Sequence, residues 1–71
     1  MTAITDEELK VLKKAVSSKK RVAMEWASQV HDLVEDRLLT DYRQLTELAK
    51  ETVTACEAWQ DAKIKYDTAT K

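Results

Sequence analysis

The chain has 71 residues, a formal net charge of −1, one cysteine, and neither glycine nor proline. Its length predicts a single domain over residues 1–71, and a lone cysteine excludes an internal disulfide. Without glycine or proline, the tight turns of a β-rich fold and any glycine-rich phosphate loop are excluded.

The near-neutral charge gives no global pull toward nucleic acid. No apolar run approaches the ~20 residues of a membrane span. Met1 to Glu8 is polar and acidic, unlike a secretory signal, so the expected setting is cytoplasmic. Charged residues make up 35% and apolar residues 44%, which suits helices with one wet and one dry face. A core this small is marginal and usually needs outside support. With no disulfide and no zinc-spaced cluster, oligomerisation is the expected support.

The first helix is predicted over about residues 6–37. Thr5-Asp6-Glu7-Glu8 fits a capping box, and its acids complement the positive end of the helix dipole. Apolar residues then recur at Leu9, Leu12, Val16, Ala23, Trp26, Val30 and Leu33, alternating three and four apart. Lys19 is the one polar interruption. Ala15, Val22, Ala27 and Val34 widen the stripe beyond one seam, which predicts contact with more than one helix.

The rhythm fails at Leu38-Leu39, and Thr40-Asp41 offers capping side chains, so the turn is predicted over about 38–41. Asp41 and Gln44 form a weaker capping pair. So short a connection lays the next helix antiparallel to the first. That second helix is predicted over about 41–68. Its seam reads Tyr42, Leu45, Ala49, Thr52, Cys56, Trp59 and Tyr66, widened by Leu48, Val53, Ala55, Ala58 and Ala62. Folding about residue 39 sets Leu33 by Leu45, Val30 by Leu48, Trp26 by Thr52, and Ala23 by Cys56. The predicted fold is all-α: an antiparallel two-helix hairpin that dimerises into a four-helix bundle. Leu9, Leu12, Val16, Ala23, Trp26, Val30, Leu33, Leu45, Leu48, Thr52, Cys56 and Trp59 form its core and dimer contacts.

Two clusters carry possible chemistry. His31 and Glu35 are four apart on one face, and the hairpin register sets Glu47 opposite His31. An imidazole with carboxylates can hold a transition metal. Against that, surface ion pairs produce the same clustering, and Ser28 stands where a di-iron bundle has glutamate. The second cluster is Lys10, Lys13, Lys14, Lys19, Lys20 and Arg21, with no acid between them. It suggests phosphate contacts to RNA. No aromatic interleaves it for base stacking, and Glu57, Asp61 and Asp67 are expected nearby, so a solvated face is favoured. Cys56, on the predicted apolar face, reads as a core thiol rather than a nucleophile. No catalytic or cofactor-binding set emerges, so no enzyme is predicted and no cofactor is assigned.

Glu8-Leu9-Lys10, Val30 to Asp36, Leu39-Thr40-Asp41-Tyr42 and Leu48 to Thr52 resemble a family of very short Rop-like proteins encoded among bacterial nitrogen-fixation genes. That pattern has His-Asp-Leu near the end of the first helix, Leu-Pro-Thr in the turn, and Ala-x-x-Thr in the second helix. This chain has Leu39 where the family usually has proline, which leaves the turn to Thr40 and Asp41. The resemblance implies a self-associating helical hairpin in a nitrogen-fixation context, with His31, Asp32 and Glu35 as motif residues. It implies no reaction. The reading is therefore a non-enzymatic accessory protein acting through protein–protein contacts as a homodimer, with a nitrogen-fixation protein as a further partner. A metal-handling protein using His31, Glu35 and Glu47, and an RNA-binding hairpin dimer, are the alternatives.

Overall fold

The computed structural model describes residues 4–70. Its elements are a long helix α1 (Asp6–Asp36), a single helical turn α2 (Leu38–Asp41) and a second long helix α3 (Gln44–Ala69). There is no strand among the described residues. The molecule is an antiparallel hairpin of α1 on α3, a rod of 56 × 15 × 13 Å.

The start of α1 is capped through Thr5. The Glu8 amide donates to Thr5 Oγ1 at 3.1 Å, and the Leu9 amide donates to the Thr5 carbonyl at 3.0 Å. Asp6, Glu7 and Glu8 occupy the first turn, where the amide dipoles favour negative charge.

The reversal differs from the one expected. Leu38–Asp41 is helical rather than the turn itself. The chain leaves α1 at Arg37, whose φ of −135° and ψ of 16° break the helix. It completes the reversal at Tyr42-Arg43, both near helical dihedrals. Neither Thr40 nor Asp41 caps α3: Arg43 stands at its N-cap with no side-chain hydrogen bond. Thr40 instead donates back to the Arg37 carbonyl at 3.3 Å, and Asp41 lies 3.7 Å from the Arg37 guanidinium. Successive right-handed segments joined by one kink turn the chain without any positive φ among the described residues. That is how a chain without glycine reverses direction.

The seam on α1 runs where the spacing puts it: Leu9, Leu12, Val16, Ala23, Trp26, Val30 and Leu33 are all at least half-buried. On α3 it is displaced. Leu45, Leu48, Thr52, Ala55, Trp59, Ala62 and Tyr66 face α1, while Tyr42, Ala49 and Cys56 are exposed. Ala55, 8% exposed, takes the place expected of Cys56. Thr52 is accommodated because its hydroxyl donates to the Leu48 carbonyl at 2.7 Å. Among the described residues only Ala23, Leu33 and Ala55 are buried, and Leu33 is the one large side chain of these with no exposure.

Candidate functional site

The His31 cluster sits on the surface beside the reversal. His31 Nε2 lies 3.1 Å from Glu35 Oε2, and Nδ1 lies 3.7 Å from Asp32 Oδ1. The side chains of His31 and Glu35 remain 72% and 63% exposed. Water competes for each of these groups, so the arrangement is a solvated pair with small energetic weight.

Glu47 does not join it, contrary to the register expectation. Glu51, one turn after Glu47, lines a groove with Val22, Trp26 and Ala58 on one side of the hairpin. His31 follows Ala27 by four residues and precedes Val34 by three, on the other side. Helix rotation therefore separates the imidazole from the third carboxylate. Among the described residues no three His, Cys, Asp or Glu side chains assemble into a metal-binding group.

The basic run is exposed throughout: Lys10, Lys13, Lys14, Lys19, Lys20 and Arg21 all face solvent. Among the described residues none of them makes an ion pair within 4.0 Å, and Asp67 pairs instead with Lys63 at 3.0 Å. The six cations are distributed around α1, as their spacing implies, and so form no single phosphate-tracking stripe. Lys19 lies in the groove beside Val22 and Trp26. Cys56 is a free, exposed thiol rather than a core residue. Trp26 and Trp59 are half-buried, and the Trp59 indole N–H is covered without a hydrogen-bond partner among the described residues.

The large exposed apolar residues that the spacing did not pick out are Val11, Met24 and Ile64. Met24, Val34 and Val53 are 61%, 47% and 56% exposed, and Cys56, Ala49 and Tyr42 are exposed with them. The three-four spacing of Met24 against Ala27 and His31 was the available signal.

The fold and this surface define an all-α helical hairpin whose features are faces rather than a cleft. More particularly, the chain belongs to the Rop-like family, whose model matches residues 7–71. No curated protein and no solved structure matches it. No helix among the described residues is long and apolar enough to cross a membrane.

Proposed function

We propose that the protein is a non-enzymatic accessory protein that acts through protein–protein contacts as a homodimer, two hairpins forming a four-helix bundle. One observation carries this reading. The hairpin exposes 5935 Å², whereas a compact monomer of its 8.1 kDa mass would expose about 4,500 Å². The excess of about 1,400 Å² exceeds the roughly 800 Å² per partner of a standard interface. It also matches a core in which, among the described residues, only Leu33 is a fully buried large side chain. A second copy is the commonest closed way to cover such a surface.

Membership of the Rop-like family supports a binding role over catalysis. The resemblance to proteins encoded among nitrogen-fixation genes suggests that setting, with one of its proteins as a further partner. A locus without nitrogenase genes would remove the setting and leave the dimer.

Sedimentation equilibrium at micromolar concentration tests the core of the proposal. The expected mass is twice the 8.1 kDa of the chain, with helicity lost on dilution as dimers separate. A helical monomer that stays folded on dilution would refute it.

A further inference from the structure

The reversal leaves a large apolar side chain almost wholly in water. Leu39, in the single turn α2, is 91% exposed, more than any other large apolar side chain among the described residues. It lines an open groove with Val34, itself 47% exposed, and Glu35 and Asp36 belong to the same wall. Tyr42, 53% exposed, follows Leu39 by three residues in a segment of right-handed dihedrals. Singly exposed leucines are ordinary. Here apolar groups gather at one end of the rod, in the segment that joins the helices. A second hairpin packed along the rod covers the sides of α1 and α3, and α2 belongs to neither.

The charge around this groove is one-sided. From Asp32 to Asp41 the chain carries four carboxylates and one guanidinium. The guanidinium, of Arg37, is engaged by Asp41 at 3.7 Å. Among the described residues Asp36 makes no ion pair. Glu35 keeps its side chain 63% exposed despite its contact with His31.

We infer that the groove at the reversal docks a basic segment of a partner protein. That segment seats an apolar side chain against Leu39 and Val34 and sets lysines or arginines beside Glu35 and Asp36. The inference rests on the reading of the protein as one that acts through protein–protein contacts, and it needs no particular pairing of hairpins.

The chemistry selects this class of partner. Carboxylates repel nucleic acid. A metal ion would engage carboxylates and leave Leu39 in water, and among the described residues no three donors assemble for one. A basic polypeptide uses both features. Burial of the apolar groups supplies affinity, and opposite charge speeds and orients the encounter. The open end of a second copy fits less well, because its Lys10, Lys13 and Lys14 share that end with Asp6, Glu7 and Glu8.

The test uses the full chain and a short synthetic peptide, rich in lysine and arginine around a pair of leucines, followed by fluorescence anisotropy. One control peptide has glutamate in place of each cation, and another has serine in place of each leucine. The chain is expected to bind the first peptide and neither control, with affinity falling as salt rises. Leu39→Ser is expected to weaken binding about tenfold or more, the scale of losing one buried leucine. Asp36→Lys should weaken it as well. Ile64→Ser, at an exposed site on α3 away from the reversal, should leave it unchanged. Leu39 and Ile64 are 91% and 54% exposed, so circular dichroism should find both variants as helical as the parent. Equal binding of the serine control, wild-type affinity in Leu39→Ser, or no binding of the first peptide overturns the docking site. A sedimenting mass that falls with Leu39→Ser in the absence of peptide gives the groove to a second copy and overturns it too. Sedimentation also separates this inference from the wider reading. A dimer that ignores the peptide loses the site and keeps the homodimer, whereas a monomer that binds through Leu39 keeps the site and loses the homodimer.

Discussion

The two long helices obey the same physics but answered differently to the hairpin. In α1 the apolar residues are mostly large and better aligned, and the seam lies along Leu9, Leu12, Val16, Ala23, Trp26, Val30 and Leu33 as their spacing predicts. In α3 they are mostly small and more spread, and the seam moved from Cys56 to Ala55. Large side chains held on one line favour one orientation toward a neighbour. A broad stripe of alanine, valine, threonine and cysteine admits several of similar energy, and packing against α1 chooses among them. The unused part of the broad stripe becomes a surface.

Leu33 anchors the well-determined half, beside the reversal and wholly buried. Leu33→Ala should produce the largest loss, about 3 kcal/mol in urea unfolding, as transfer and cavity terms combine. A loss below about 1 kcal/mol would mean that the end near the reversal does not hold the hairpin together.

The displaced seam is sharpened by a pair of substitutions. Ala55→Leu should overpack the α1–α3 contact and cost about 1–3 kcal/mol. Cys56→Ala, at an exposed thiol, should change stability by no more than about 0.5 kcal/mol. The opposite order in denaturant midpoints would restore Cys56 to the core.

The beginning of α1 gives a smaller effect. Thr5→Ala removes the acceptor of the Glu8 amide and should cost about 1 kcal/mol, measured by thermal unfolding. Thr5→Ser should restore most of that loss, because it keeps the hydroxyl.

The smallest effect belongs to the His31 pair. A double-mutant cycle of His31→Ala and Glu35→Ala should give a coupling of no more than about 0.5 kcal/mol, given the exposure of both groups. Nickel titrations of wild type and His31→Ala should show equally weak binding. Tight binding lost with His31 would reinstate the metal-handling alternative.

The legibility of the chain follows the same division. Thr5 as a cap, α1 as a long amphipathic helix and the antiparallel partner after it are all local consequences of residue type and period. The reversal was legible in place but not in form. A helical turn at Leu38–Asp41 is favoured by local hydrogen bonds to Arg37, and these outweigh the capping use of Thr40 and Asp41. The His31, Glu35 and Glu47 grouping failed for a rotational reason. Leu48 and Ala55 replace Ala49 and Cys56 while Leu45, Thr52, Trp59 and Tyr66 stay, so the facing arc of α3 turns by about half of the 100° between neighbouring residues. Residue numbers that sum to the same register pair positions along the rod, not around it, and Glu47 and His31 point to different sides.

The sequence by itself determined the helices, their antiparallel relation and the family, because hydrophobic period, capping residues and short motifs are written in neighbouring positions. Only the tertiary structure decided which arc of α3 meets α1, and so which apolar residues remain outside. That choice depends on how side chains of two distant segments interdigitate. Spacing along one helix leaves it open wherever the apolar arc is wider than a single contact.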